Sequence, residues 1–205
     1  MPEDRQTPLH LSKRFFDIAA AAVGLAITAP VMAVIAIAVR ATSSGPAIYR
    51  ASRIGLRGKP FTLYKFRSMR TTESSEGTRI TVAGDNRITG IGKLLRATKL
   101  DELPQLVNVM RGDMSIVGPR PEDPTYVSRY TESQKEILNW RPGLTSPASI
   151  EYRHEEDLLS AAGDLETAYA SIMDAKIQLD LAYFSSSSLR SDLVIIFRTI
   201  SSLFK

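Results

Sequence analysis

LLRATKLDELPQLVNVMRGDMSIVGPRP, residues 94–121, is the stretch whose reading decides the fold of this chain. Asp101 and Glu102 stand side by side just ahead of Pro104 and an apolar run at helical spacing, Leu106, Val107, Val109 and Met110, which Gly112 closes. Proline is tolerated in a first helical turn and glycine is favoured just past a last one, so the pattern predicts a short helix beginning at the acid pair. The N-terminus of such a helix offers unpaired N–H groups and a partial positive charge, a natural seat for phosphate. Arg96, Lys99 and Arg120 set cations on both sides of it. Two acids amid bases, aimed at an anion seat, suggest phosphate chemistry with a metal. The competing reading is plainer: the two acids complement the helix dipole, as acids commonly do in any first turn.

The rest of the composition narrows the field. A chain of 205 residues is long enough for one domain with its own core. Lys and Arg outnumber Asp and Glu by 26 to 22, a modest excess that suits membrane headgroups, nucleotide or nucleic acid without choosing among them. The absence of cysteine excludes a disulfide, a thiolate metal site and a Cys nucleophile. His10 and His154 are the only histidines, which leaves little room for a His-rich metal site or a Ser-His-Asp triad.

Toward the N-terminus, Lys13 and Arg14 precede FFDIAAAAVGLAITAPVMAVIAIAV, whose one charge is Asp17. From Ile18 to Val39 runs an uncharged segment of roughly 33 Å as a helix, enough to enter or cross a hydrocarbon core. A secretory signal shares the basic start, but this run is long and ends at Arg40 without a convincing cleavage site. Pro30 lies near its middle, where a missing N–H and a clash with the preceding turn predict a kink or break. Both flanks are basic, Lys13 and Arg14 on one side and Arg40, Arg50 and Arg53 on the other, so the positive-inside tendency would keep both in the cytoplasm. A broken helix that dips into one leaflet and returns meets both conditions; a kinked spanning helix requires export of one basic flank.

Downstream, Ala47 to Arg50 and Phe61 to Phe66 read as strands joined by a turn over Gly55 to Pro60. Lys65 and Arg67 fall on one side of the second strand, either gripping an anion or lining a solvated edge. Residues 70–84 are rich in Ser, Thr and Glu and read as a loop, followed by a helix over Ile91 to Thr98. Pro119 and Pro121 stiffen the backbone around Arg120, lowering the entropy lost when its guanidinium clamps a carboxylate or phosphate; a structural turn is the alternative. Thr131 with Gln134 resembles a capping box, opening a helix through Trp140 that Pro142-Gly143 ends. Arg153 then leads a polar stretch, His154, Glu155, Glu156 and Asp157, which reads more readily as a solvated helix start than as a metal site. The last third is helical and amphipathic. Its apolar stripe, Leu189, Leu193, Ile196, Phe197, Ile200 and Phe204, fits a membrane interface or the core equally. No internal repeat and no Gly-rich phosphate loop occurs.

Several motifs now stand in order along the chain: Lys13-Arg14-Phe15-Phe16-Asp17, the apolar run with Pro30, Tyr64-Lys65-Phe66-Arg67-Ser68-Met69, Leu100-Asp101-Glu102-Leu103-Pro104-Gln105-Leu106, the run from Gly112 to Pro121, and Arg141-Pro142-Gly143-Leu144-Thr145. As an ordered set they resemble the bacterial sugar transferases, also called small monotopic phosphoglycosyl transferases, over nearly the whole chain. The resemblance implies an enzyme on the cytoplasmic face of the bacterial inner membrane that moves a phosphosugar from a UDP-sugar to a polyprenol phosphate such as undecaprenyl phosphate, releasing UMP. It implies a mainly helical α+β fold. Residues 1–41 would form a tail and a re-entrant helix-break-helix at Pro30, and residues 42–205 a membrane-associated catalytic domain with a small β-hairpin, catalytic helices and interfacial amphipathic helices.

By the same resemblance Asp101 is the nucleophile and Glu102 its partner, and an acid of the pair holds Mg²⁺ with the diphosphate. A hard cation with oxygen ligands suits a chain without Cys and nearly without His. Arg120, between Pro119 and Pro121, matches the family's Pro-Arg-Pro arginine; Arg153 and Arg96 match basic positions that face phosphate, and Lys65 and Arg67 join them as candidate phosphate contacts. Two departures stand out. Ala29 replaces a serine that many members carry before the membrane proline, with Thr28 as a substitute hydroxyl, and Ser146-Pro147-Ala148-Ser149-Ile150 replaces Gly-Trp-Ala-Gln-Val. The alternative function is an inactive membrane scaffold or regulator of glycan assembly, which retention of Asp101, Glu102, Arg120 and Arg153 argues against. A nucleic-acid binder is disfavoured by the long apolar segment and the lack of a nucleic-acid motif.

Overall fold

The structure, a computed structural model, describes residues 8–70 and 80–202. The N-terminal tail and most of the loop expected over residues 70–84 lie outside the described residues. What is described is mainly helical with two small sheets, the α+β architecture expected from sequence.

Helix α1 (Pro8–Thr42) is 35 residues long, about 52 Å at the helical rise. The break expected at Pro30 is not found: α1 is helical through the proline. Packing and a local hydroxyl hold it there. Thr28 Oγ1 donates to the Gly24 carbonyl at 2.7 Å, one turn before the proline, which places a hydroxyl where Ala29 has none. The buried stripe also keeps its phase across Pro30, with Asp17, Ala21, Ile35 and Val39 all buried and Gly24 beneath Leu106. The opposite face, Phe15, Val23, Ile27, Val31, Val34 and Ile37, is apolar and exposed.

The hairpin pairs β1 (Ile48–Ile54) antiparallel with β2 (Pro60–Phe66), Tyr49 opposite Lys65 and Ala51 opposite Leu63. The first strand runs four residues beyond the expected Arg50, because Ala51 and Leu63 share a core with Ala21, Leu106, Val109 and Met114 that rewards continued pairing. Helix α2 (Gly90–Ala97) follows, capped by Thr89, whose side chain accepts from Gly92 N. Helix α2 sits so close to the strand exit that a Cβ on Gly92 would lie 1.9 Å from the Ser68 carbonyl oxygen.

Lys99 adopts a left-handed conformation and turns the chain into a 3₁₀ segment over Leu100–Glu102, after which α3 (Gln105–Arg111) begins. The acid pair therefore precedes the helix rather than forming its first turn, because Pro104 takes the N-cap position. Gly112 ends α3 in the left-handed region, as its place in the sequence predicts. Asn108, fully buried, fastens α3 to the hairpin, donating to Thr62 O at 2.7 Å and accepting from Tyr64 N at 3.1 Å.

Strands β3 (Ser115–Val117) and β4 (Gly143–Thr145) run parallel. Gly118 and Gly143 explain why two separate motifs carry glycine. A Cβ on Gly118 would meet Arg141 O at 2.2 Å, and one on Gly143 would meet Gly118 N at 2.1 Å. Short helices α4 (Pro124–Val127) and α5 (Glu132–Lys135) follow β3. The Thr131–Gln134 capping box is present, but the expected helix through Trp140 tightens to 3₁₀ geometry over Glu136–Asn139. Helices α6 (Pro147–Glu151), α7 (Glu155–Ser160), α8 (Leu165–Phe184) and α9 (Leu189–Ser202) complete the body. Their core gathers Val117, Tyr126, Tyr130, Ile137, Leu159, Met173, Ile177, Phe184 and Ile195. Of the expected apolar stripe on α9, Leu193, Phe197 and Ile200 are exposed and Ile196 packs against the core, which the helix enters through the neighbouring Ile195; Phe204 lies outside the described residues.

Candidate active site

The hairpin, the acid turn and α7 enclose a cavity of about 580 Å³. Tyr49, Ala51, Arg53, Leu63 and Lys65, which alternate along the two strands, supply one wall. Asp101 and Gln105, one helical turn apart, supply another; Arg96, Arg120, Glu155 and Glu156 supply a third.

The two acids have different environments. Glu102 Oε1 accepts from Arg120 Nη2 at 2.9 Å and from Lys65 Nζ at 3.3 Å. Burial pushes the Glu102 carboxyl up, but the Arg120 and Lys65 charges outweigh it and hold the group far below the ordinary carboxylate range. Glu102 reciprocally raises the Arg120 guanidinium. Asp101 is buried, and its Oδ1 has no hydrogen-bond partner among the described residues. Burial raises its pKa against the pull of Lys65, Arg96 and Lys99. Lys99 is itself lowered by burial and by nearby Arg120. One carboxylate is thus a fixed anchor for two cations, and the other keeps a buried oxygen that no described residue engages.

The backbone explains how Arg120 reaches Glu102. Gly143 N donates to Pro119 O at 2.9 Å and Gly118 N to Thr145 O at 3.0 Å, bracing the Gly-Pro-Arg-Pro turn against β4. Arg120 and Pro121 border the cavity, while Pro119 faces a small adjoining hollow with Ile54, Tyr130 and Trp140. Arg96 pairs with Glu156. Glu155 is paired with Lys176 Nζ at 2.7 Å; burial pushes Glu155 up, and the Lys176 and Arg120 charges bring it below its usual value.

Sequence reasoning brings Lys65, Arg67, Arg96, Asp101, Arg120 and Pro121 to this cavity, but not Arg153, which is half-buried outside its wall. The residues from that segment that do reach it are Glu155 and Glu156. Arg67 differs from a free phosphate clamp: its Nη2 donates to Ser43 O at 2.8 Å and Ser43 Oγ at 3.0 Å, closing the C-terminal end of α1. Gln105, which the sequence reading passed over, is buried with its Nε2 unpartnered. Its position four residues after Asp101 was the available signal.

For Mg²⁺, the residues fit in part. The unpartnered Asp101 Oδ1 is a suitable hard oxygen, and Mg²⁺ commonly takes one or two carboxylates together with substrate phosphates. Glu102, occupied by Arg120 and Lys65, is not an equivalent ligand. No cluster of three acids or histidines that could hold a metal by itself occurs among the described residues.

A cavity lined by Lys65, Arg96 and Arg120, next to one carboxylate tied to two cations and one left unpartnered, has the chemistry of an anion site, and the same fold carries a long helix with an exposed apolar face. The chain belongs to the bacterial sugar transferase family, whose model matches residues 9–205. It is 40% identical over 196 residues to the UDP-glucose:undecaprenyl-phosphate glucose-1-phosphate transferase of Caulobacter vibrioides, covering 94% of this chain and 70% of that protein. The Escherichia coli K12 protein of the same name is 37% identical over 202 residues, covering 95% of this chain and 41% of its own length. A UDP-N-acetylgalactosamine-undecaprenyl-phosphate N-acetylgalactosaminephosphotransferase of Aeromonas hydrophila is 34% identical over 196 residues, covering 93% and 43%. The chain thus spans about two-fifths of the length of the last two relatives.

Proposed function

We propose that this chain is a phosphoglycosyl transferase that moves a sugar phosphate from a UDP-sugar to undecaprenyl phosphate, releasing UMP, by way of a covalent ester on Asp101. The observation that carries the reading is the division of labour in the acid pair: Glu102 is bound by Arg120 and Lys65, whereas Asp101 Oδ1 is buried at the cavity wall without a partner. In the first step an Asp101 oxygen attacks the sugar-bearing phosphorus. The new P–O bond forms as the bond to UMP breaks, and UMP leaves with the electron pair. In the second step an oxygen of the lipid phosphate attacks the same phosphorus, the diphosphate bond forms, and Asp101 leaves as a carboxylate. Neither step needs an oxidant or an added proton.

A carboxylate approaching a phosphate diester meets like charge, so fixed cations must offset it. Lys65, Arg96 and Arg120 surround the site, and Glu102 holds two of them rigidly. When bound by Asp101 and the diphosphate, Mg²⁺ would supply further charge neutralisation. Two sequential steps let a soluble donor and an insoluble acceptor use one site in turn.

Membrane attachment follows from α1 and α9, whose exposed apolar faces suit the acyl region at the cytoplasmic face of the bacterial inner membrane. Monotopic attachment is supported by where α1 is fastened. Arg14 donates to Val109 O at 2.7 Å and Met110 O at 3.0 Å near one end, and Ser43 receives Arg67 at the other. A crossing helix would put those two ends on opposite sides of about 30 Å of hydrocarbon, yet both grip the same folded body.

The test is UMP release by the detergent-solubilised protein with undecaprenyl phosphate, offered UDP-glucose and UDP-N-acetylgalactosamine with and without Mg²⁺. Mg²⁺-dependent release from either donor is expected; none from these or a wider panel of UDP-sugars would favour a scaffold.

A further inference from the structure

A cavity suited to anions also carries acids on its wall: Asp101, Glu122, Asp123, Glu155 and Glu156 all border it. Glu122 accepts from the Tyr169 hydroxyl at 3.0 Å, Asp123 pairs with Arg53 at 3.3 Å, and Glu156 pairs with Arg96. Those three partners line the cavity themselves. Glu155 differs, because its partner, Lys176, lies behind the wall on the buried stripe of α8.

Lys176 stands where a charge is costly. The stripe that α8 buries is Met173, Lys176, Ile177, Asp180 and Phe184, and Lys176 is 8% exposed within it. Well-packed apolar side chains of the same volume commonly replace a buried ion pair without loss of stability, so the presence of one raises the question of what its charge does. Asp180, one turn further along α8, is engaged elsewhere, accepting from Ala148 N at 3.0 Å. The Lys176 ammonium has one hydrogen-bond partner among the described residues, Glu155 Oε2 at 2.7 Å. Glu155 in turn feels a second cation: burial disfavours its carboxylate, and Lys176, then Arg120, hold it ionised. Yet no ion pair joins Glu155 to Arg120 among the described residues. Arg120 commits Nη2 to Glu102 and keeps 32% of its side chain exposed.

We infer that Lys176 is a positioning residue of the transferase site: by pairing with Glu155 from behind the cavity wall it keeps that carboxylate off Arg120, whose remaining donors are thereby left for the diphosphate of the UDP-sugar. The inference rests on the transferase reading. A guanidinium offers five N–H donors and binds phosphate best through two parallel bonds. Arg120 already carries one carboxylate, and a second would occupy the donors that are left and cancel the charge needed against an approaching phosphate. Asp123 and Glu156 are restrained by Arg53 and Arg96. Glu155 has no such cavity cation of its own, and without Lys176 the strongest remaining pull on it is that of Arg120. Because Lys176 does not border the cavity, it satisfies Glu155 without competing with Arg120 for the ligand.

Steady-state kinetics of the full chain in neutral detergent, with undecaprenyl phosphate and whichever UDP-sugar supports wild-type turnover, test the role through a pair of variants and their combination. Lys176→Met keeps the length of the side chain and removes its charge. The KM for the UDP-sugar should rise about 10-fold, the worth of one hydrogen bond to a charged group, with kcat changed far less, the signature of lost donor binding. Glu155→Gln removes the competing carboxylate, so the KM should fall below the wild-type value even as Tm drops, because Lys176 loses its counter-charge. The double variant should return the KM to the wild-type value or below it. A lysine that only props α8 against α7 predicts otherwise: both single variants would raise the KM alike and the double variant would not recover. Either of those results, or an unchanged KM in Lys176→Met, overturns the role. If Lys176→Met fails to fold, as seen in Trp140 fluorescence, Glu155→Gln decides alone, and a KM at or above the wild-type value overturns it. A wild-type protein that turns over no UDP-sugar would instead sink the transferase reading itself.

Discussion

Exchanging each acid of the pair for its amide separates their roles in a way that activity alone does not. Glu102→Gln keeps the shape of the side chain but leaves Arg120 and Lys65, at 2.9 and 3.3 Å, without their shared counter-charge. Breaking a buried ion pair by removing one partner costs about 3–5 kcal/mol. The cations retain 32% and 21% side-chain exposure, so water returns part of that loss. A net cost of about 2–3 kcal/mol is expected, which for a chain of this size lowers Tm by roughly 4–10 °C. Asp101→Asn works the other way. Its charged form is already penalised by burial and its Oδ1 has no partner, so the amide removes a charge that folding does not favour. Tm should hold or rise, while turnover falls by at least about 10³-fold because the nucleophile is gone. Thermal unfolding followed by the fluorescence of Trp140, whose ring lies 6.2 Å from Phe184, reports both variants in detergent. Glu102→Gln melting with the wild type, or Asp101→Asn falling equally far, would refute the division between anchor and unpartnered carboxylate.

Three further outcomes follow from other parts of the molecule. Gly92→Ala should prevent α2 from seating, because the added methyl would lie 1.9 Å from the Ser68 carbonyl oxygen; a melting temperature unchanged from wild type would contradict that approach. Asp180 accepts from Ala148 N at 3.0 Å, yet burial pushes its carboxyl up to about 6 from 3.8, so the folded state holds the proton more tightly than the unfolded chain. Its contribution is fully present below pH ~4 and is lost as pH rises through ~6, a change of roughly 3 kcal/mol that Asp180→Asn should abolish; a variant-minus-wild-type stability difference that does not vary over this range would refute it. Since the chain has no cysteine, single cysteines at Leu11 and Ser44 can be labelled in intact spheroplasts and inverted vesicles; both should react only from the cytoplasmic side, and opposite labelling would reject monotopic attachment.

What the sequence made legible here was what local chemistry decides. The capping box at Thr131 and Gln134, the stop at Gly112 and the hairpin around Gly55 to Pro60 each depend on neighbours within a few residues, and each is present. Arg120 was legible for the same reason, since prolines on both sides restrict its backbone before any partner is known. What periodicity could not supply was the identity of partners far along the chain. Arg67 and Lys65 look equivalent on one strand face, yet Lys65 reaches Glu102, 37 residues on, and Arg67 reaches back 24 residues to Ser43. Pro30 shows the same limit: an isolated helix would be expected to kink there, but a stripe packed from Asp17 to Val39 and the Thr28 hydroxyl keep it helical. The long-range contacts also link attachment to chemistry. Arg14 joins α1 to the end of α3, Asn108 joins α3 to the hairpin, and the hairpin delivers Lys65 to Glu102. A displacement of α1 would therefore reach the cations around Asp101 through α3 and the hairpin, and the Tyr126, Tyr130 and Ile177 core through Asp17, which accepts from Ser115 and Ile116, and Lys13, which pairs with Asp192.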